Sequence, residues 1–421
     1  MTRSTARSTA RRAAGALPLV LGLLLVLPGT ATAQDVVWLK QGGTDQSDFA
    51  NDAVADASGA FVVGGTAGSL GGQTPSGDED AYIQRYAGDG RALWTRLWGG
   101  TSLDVANAVA SNDNAVFIGG RTGGDGDAFV ASYDLAGNPG WSDTFGTSQL
   151  GSFEQVDDIA ADATGVYVAA EVSKHLAGLP HHGDWDIVVR KYTTDGTVVW
   201  TKEIGTPRRD INGHVALDGA GHLYVSGQTA GAFPGYVNAS GADVFLRKYD
   251  LDGNAIWTRE FGTSSEANVL GSTANTNGVY LSGYTWLPFG PPTSAEPAQD
   301  AFVMKVRPRG AMAWASEFGA PGDVQDLASG VSLAGRRLFV GGTTYGTLPG
   351  QTSAGNLDAF IARYTLTGSQ VWLHQLGTSE DDKGNGVGAA AGRAFLVGST
   401  AGIFPGEIAR GSTDEFVAKV R

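Results

Sequence analysis

Asp243-Val244-Phe245-Leu246-Arg247-Lys248-Tyr249 is followed by Asp250-Leu251-Asp252-Gly253-Asn254 and then by Ala255-Ile256-Trp257-Thr258-Arg259-Glu260-Phe261-Gly262. The outer two segments are short, β-branched and aromatic, which reads as strand. The Asp-Gly between them reads as a tight hairpin, because glycine alone enters φ > 0 without steric cost. The first half of the leading strand is apolar at successive positions, so both of its faces are buried and its sheet must be sandwiched between neighbours.

Each landmark of this stretch recurs. Trp38, Trp94, Trp141, Trp200, Trp257, Trp314 and Trp372 follow one another at intervals of 56, 47, 59, 57, 57 and 58 residues. A glycine comes five residues after each, from Gly43 and Gly99 to Gly319 and Gly377. Fourteen residues before six of these tryptophans stands an aspartate (Asp80, Asp127, Asp186, Asp243, Asp300, Asp358), and four residues before them a turn glycine (Gly90, Gly137, Gly196, Gly253, Gly310, Gly368). Periods in this range belong to propellers, solenoids or arrays.

Two more strands fill each period. One is built of small residues, as in Asp52-Ala53-Val54-Ala55, Asn107-Ala108-Val109-Ala110 and Asp158-Ile159-Ala160-Ala161. The next is β-branched or aromatic and ends small, as in Phe61-Val62-Val63-Gly64-Gly65 and Leu338-Phe339-Val340-Gly341-Gly342. The small-residue strand is expected innermost, where strands converge on an axis and large side chains would collide. Seven units of four strands predict an all-β, seven-bladed propeller with four antiparallel strands per blade; an open solenoid would need polar caps and atypical end repeats.

The ring is expected to close by strand exchange. Val36-Val37-Trp38-Leu39 has no Asp strand before it, and the strand opening at Asp414 has no Trp strand after it, so pairing the two would hide two edges. One connection per unit varies in length and holds glycine and proline, as in Gly231-Ala232-Phe233-Pro234-Gly235 and Gly402-Ile403-Phe404-Pro405-Gly406. These loops are expected to share one face.

Of the 421 residues 63 are glycine, 42% are apolar and 17% charged, against about 25% charged in an ordinary soluble domain. Residues 1–33 read as a secretory signal: Arg3, Arg7, Arg11 and Arg12 precede the apolar run from Ala16 to Leu27, and Ala31-Thr32-Ala33 gives the small-residue cleavage pattern. Ala13-Ala14-Gly15 after the arginine pair matches the twin-arginine signal poorly, so ordinary Sec export is favoured. Residues 34–421 are expected to form one propeller domain. Taking the leader's four arginines from a net charge of −14 leaves −18, which argues against nucleic acid, since phosphate binding needs clustered positive charge. No other apolar stretch approaches the roughly 20 residues of a membrane span. With no cysteine there is neither disulfide nor thiolate chemistry. A soluble monomer is expected, extracellular or at the cell surface, with the periplasm as the other compartment.

The pattern Asp-Ala-Phe-Val-x-Lys-Tyr-Asp-x-x-Gly-x-x-x-Trp-Thr-x-x-Phe-Gly-Thr, visible from Asp243 to Thr263 and from Asp358 to Thr378, resembles the bacterial β-propeller repeat of secreted and cell-surface proteins, the SBBP repeat. The resemblance covers nearly all of 35–421. It implies a propeller in an exported bacterial protein and brings no catalytic residues with it.

Local chemistry is sparse. The repeated aspartates suit fixing loops through backbone N–H groups, and the repeated tryptophans suit inter-blade packing with the indole N–H tied to a partner. No cofactor is expected; Asp78-Glu79-Asp80 and Glu380-Asp381-Asp382 could at most hold Ca²⁺ weakly at a surface. His175, His181, His182 and Asp184 form a candidate transition-metal group. Trp286, Phe289, Phe233, Tyr345 and Phe404 fall in or next to the variable loops, where exposed aromatics suit carbohydrate or peptide, with Trp286 and Phe289 foremost. The favoured function is a secreted, non-catalytic scaffold binding a protein or glycan through its loop face. The alternatives are a propeller enzyme, such as a quinoprotein-like dehydrogenase or a glycan lyase or hydrolase, and a purely structural envelope component.

Overall fold

The computed structural model describes residues 36–421 apart from 124–125, 148, 150, 181, 239–240, 263–264, 290–297 and 323. The expected leader therefore lies outside the described residues. Every regular element described is a strand, and the strands form seven sheets of four, all antiparallel and six of them in simple sequence order. Blade 1, for example, runs Asp48–Ala55, Gly59–Thr66, Asp80–Ala87, Ala92–Trp98. The seventh sheet takes Val36–Gly42 as its outer strand beside Asp414–Val420, with Trp38 opposite Lys419 and Gln41 opposite Phe416. The inner strand of blade 1 packs against those of blades 2 and 7, so the blades form a closed ring.

Small residues line the axis because nothing larger fits. A Cβ at Gly386 would stand 2.6 Å from the Asn51 carbonyl oxygen, and one at Gly388 2.6 Å from that of Ala53, both on the adjoining inner strand. Outward, the second and third strands are buried on both faces: Phe61, Val62 and Val63 in one, Phe360, Ile361 and Ala362 in another. The sandwiching expected from their continuous apolar runs is thus real.

The repeated Trp and the repeated turn glycine are two halves of one contact. At five junctions the outer-strand Trp of one blade covers the hairpin glycine of the next, as Trp94 lies over Gly137, Trp141 over Gly196 and Trp314 over Gly368, whereas Gly310 faces Arg259. Gly196 has φ +92°, and an added Cβ would stand 2.5 Å from the Trp141 ring, so both conformation and space exclude a side chain. The indole Nε1 of Trp38 donates to Gly88 O at 3.1 Å, that of Trp141 to Thr194 O at 3.1 Å and that of Trp257 to Pro308 O at 3.2 Å, all in the neighbouring blade.

In blades 1, 3, 6 and 7 the Asp at the third-strand entrance fixes the loop before it. Asp80 Oδ2 accepts from Ser76 N at 2.9 Å, Asp358 Oδ2 from Ala354 N at 2.9 Å, and Asp414 from Arg410 N and Gly411 N at 2.9 and 3.0 Å. The inner strands begin on a second buried acid in most blades, such as Asp104 or Asp326. The glycine five residues after Trp sits between the two: a Cβ on Gly319 would meet Asp300 Oδ1 at 2.2 Å and Asp326 Oδ2 at 2.7 Å.

Candidate functional site

Each inner strand carries an irregularity in its pairing with the second strand, between Ala50 and Asp52, Ala106 and Ala108, Val156 and Asp158, and at equivalent points in the other blades. Such bulges re-aim side chains and commonly adjoin sites. Here they turn polar residues into a cavity of about 110 Å³ on the axis, to which all seven blades contribute. Asn51, Asp52, Asn107, Asp157, Asp158 and His214 line one side of it; Ser272, Ser329 and Asn385 complete the polar ring. Farther from the loops the channel widens to about 280 Å³ between small apolar residues such as Ala55, Ala110, Ala161 and Ala389.

The ring's hydrogen bonds run from blade to blade. Asn51, Asn107 and Asn385 donate from Nδ2 to the carbonyls of Ala106, Val156 and Ala50 at 3.0, 3.0 and 2.9 Å. Asp52 accepts from Val109 N at 3.0 Å, Asp158 from Val215 N at 2.9 Å, and Asp157 from Gly213 N at 3.0 Å. His214 Nδ1 lies 3.6 Å from Asp158 Oδ2. Withdrawal from water, with Asp158 nearby, pushes the Asp52 carboxyl up to about 8. Burial and then Glu171 raise Asp157 well above the carboxylate range. Carboxyl groups that accept from backbone N–H groups in this way stitch inner strands together, and they line the cavity with acid side chains.

The second candidate is the face carrying the connections from second to third strand and from blade to blade. Backbone bonds such as Asp104 N to Glu79 O at 2.8 Å and Asp326 N to Gln299 O at 2.7 Å pin the two sets of connections together. Tyr345 is 43% exposed there, Ile403 58%, Ile408 73% and Val237 88%.

The aromatic residues singled out from the sequence divide. Phe233 and Phe404 are buried plugs, packed on third-strand Phe245 and Phe416 with ring centroids 5.2 and 5.3 Å apart, and so are removed from a ligand-facing role. Phe289 is half-buried edge-on against Phe302 at 4.9 Å, and Trp286 is half-buried beside it in the sequence. The physical reason is the Gly-x-Phe-Pro-Gly turn, which folds its apolar residue back over the third strand to close the core. Tyr345 alone of the five is exposed. Of the His group, His175, His182 and Asp184 are exposed, His182 gives its backbone N–H to Asp186, and His181 lies outside the described residues. Among the described residues no three His, Cys, Asp or Glu side chains are placed to hold a metal ion.

The channel ring was not singled out from the sequence, although Asp52, Asn107 and Asp158 stand in the strands that were placed innermost. The available signal was a polar residue at the same point of an otherwise Ala- and Gly-rich strand.

Known proteins add limited context. No family model matches the chain. The regulatory protein FlaEY of Caulobacter vibrioides is 26% identical over 403 residues, covering 86% of this chain and 42% of that protein, so the chain spans less than half of that relative's length. Among solved structures, the phage phi92 endosialidase aligns with a TM-score of 0.45 at 9% identity, covering 91% of this chain and 69% of that one. A Trypanosoma rangeli sialidase aligns at 0.44 and 12% identity, covering 92% and 57%.

Proposed function

We propose that the chain is an exported, non-catalytic binding scaffold of the secreted bacterial propeller-repeat type, taking a protein or glycan partner on its loop face. The supporting observation is the exposure of Tyr345, Ile403 and Ile408 on the connections of blades 6 and 7, while Phe233 and Phe404 turn inward. Apolar side chains on loops held by a rigid sheet framework suit recognition. The likeness to a regulatory protein agrees with action through association.

The test is the thermal transition of the purified protein across a panel of glycans, Ca²⁺, EDTA and transition metals, repeated with the Tyr345→Ala, Ile403→Ala double variant. A ligand selective for the folded state raises the transition by mass action. A rise that vanishes in the double variant supports the loop face; a rise that persists, or turnover of a glycan that survives purification, overturns it. The acidic axial cavity beside His214 favours a second reading, in which a small ligand enters the channel. Substituting Asp158 and His214 while leaving Tyr345 intact separates the two.

A further inference from the structure

The outer-strand residue three after the repeated Trp takes two related chemical forms in five of the seven blades, with Leu97 and Thr144 in blades 1 and 2. In blades 6 and 7 it is glutamine. Gln375 Oε1 accepts from Leu348 N at 3.0 Å, while its Nε2 donates to Asp358 Oδ2 at 2.7 Å and to Gly346 O at 2.8 Å. Gln41 repeats this with Phe404 N at 3.0 Å, Asp414 Oδ2 at 2.8 Å and Gly402 O at 2.8 Å. The side chain thus hangs the loop's plug residue on one arm and clamps the third-strand Asp with the other.

In blades 3, 4 and 5 the position is Glu203, Glu260 and Glu317. The first arm is kept in blades 4 and 5: Glu260 Oε1 accepts from Phe233 N at 2.5 Å and Glu317 Oε1 from Phe289 N at 2.9 Å. The second arm is now an oxygen where glutamine presents N–H, and it faces Asp243 in blade 4, Asp300 in blade 5 and Asp186 in blade 3. Glu260 Oε2 is buried without a protein hydrogen-bond partner. An ionised carboxylate has no hydrogen to offer an aspartate; a protonated one does.

We propose that Glu203, Glu260 and Glu317 each share one proton with the third-strand aspartate of their blade in mildly acidic solution, so that a carboxyl O–H takes the place of the glutamine N–H, and that loss of these protons as pH rises loosens the loops of blades 3 to 5. Each pair holds a single proton between two carboxyl groups and carries one negative charge; when that proton leaves to solvent the pair carries two in a site with little water.

The surroundings support this sharing. Glu260 faces Asp243 and Asp210, both acids. The nearest cations turn elsewhere: Arg247 Nε donates to Thr258 Oγ1 and Arg259 Nη1 to Thr258 O, each at 2.8 Å. Glu203 faces Asp186, which in turn faces Asp210, and Glu317 faces Asp300, which faces Asp326. Burial, then the neighbouring aspartate, pushes Glu203 up to about 8; burial also takes Glu260 to about 6 and raises Glu317.

The test uses Glu203→Gln, Glu260→Gln and Glu317→Gln, singly and together, in the purified full chain. Infrared difference spectra at pH 5 in heavy water, wild type minus triple variant, should show protonated-carboxyl absorption. The wild type's unfolding constant should rise with pH from 5 to 9, by about tenfold per pH unit for each proton released, and the triple variant should be flatter and the more stable at pH 9. Amide exchange at Phe233 should quicken with pH, beyond the intrinsic chemical rate, in wild type only. No carboxyl absorption in the difference spectrum, an unchanged pH slope, or a triple variant that does not fold at any pH would each overturn the proposal, since the amide is the group blades 6 and 7 already use.

Discussion

Replacing Gly196 by alanine should be far more damaging than replacing Gly235, although the two share a backbone conformation. Gly196 has φ +92° and Gly235 φ +91°. The conformational penalty for an L side chain in that region is about 1–2 kcal/mol in either case. The surroundings differ: a Cβ at Gly235 meets nothing within 4 Å, whereas one at Gly196 would stand 2.5 Å from Trp141 Cδ2 and 2.6 Å from Cγ. Carbon atoms rest at about 3.5–4.0 Å, so the indole must retreat by about 1 Å. Such overpacking costs about 1–3 kcal/mol. The retreat also strains the Trp141 Nε1 bond to Thr194 O and the stack on Tyr192, whose ring centroid is 5.3 Å away. Together these place Gly196→Ala at about 2–5 kcal/mol and Gly235→Ala at about 1–2 kcal/mol. Urea unfolding of both variants measures the difference. In a Trp141→Ala background the Gly196 substitution should shrink to its backbone part, a coupling that a double-mutant cycle isolates. Equal destabilisation of the two single variants, or no coupling to Trp141, would refute the claim that one blade's Trp dictates the next blade's glycine.

Other expectations concern ring closure, the channel and pH. Glu415 of blade 7 accepts hydrogen bonds from the Tyr82 and Tyr86 hydroxyls of blade 1, so Glu415→Ala should destabilise by about 2–4 kcal/mol, checked by denaturant titration, because it strands two buried hydroxyls. Asn51→Ala, Asn107→Ala and Asn385→Ala should each lose about 1 kcal/mol by the same assay, with no change in the spectrum of the folded sheet. Burial raises Asp52 to about 8 and Glu415 to about 7. The folded state therefore holds protons that the unfolded chain, with carboxyl values of about 4, has released. Stability from these groups is full below pH 4 and is lost as pH rises towards 8, so Asp52→Asn should flatten the alkaline limb of a melting-temperature profile. Asp250 behaves oppositely: bonds from Asn254 hold its carboxyl below the usual value, so the hairpin contribution is lost as pH falls below about 4, which Asp250→Asn should abolish.

Much of the architecture was legible because closure of a ring leaves a periodic imprint. The spacing of Trp38 to Trp372 gave the blade number, and the apolar runs opening at Asp243 and Asp358 gave burial on both faces. The site was less legible. Phe233 and Phe404 read as exposed because glycine and proline flank them, yet the turn folds each onto a third-strand Phe. Asp52 and Asp158 stand on the strands placed innermost but are not singled out by the sequence, because a bulge that shifts pairing by one residue leaves no composition of its own. The exchange of Gln375 for Glu260 at one repeat position was visible, but its meaning depends on the aspartate that only the folded blade brings opposite.

Under the proposed function a partner is recognised on the loop face and not on the outer rim. A photo-crosslinking residue placed in turn at Tyr345, at Ile403 and, on an outer strand, at Val371 tests it directly in cells that make the protein. Covalent adducts from Tyr345 and Ile403 with none from Val371 are the predicted result; adducts from Val371 alone would contradict the claim.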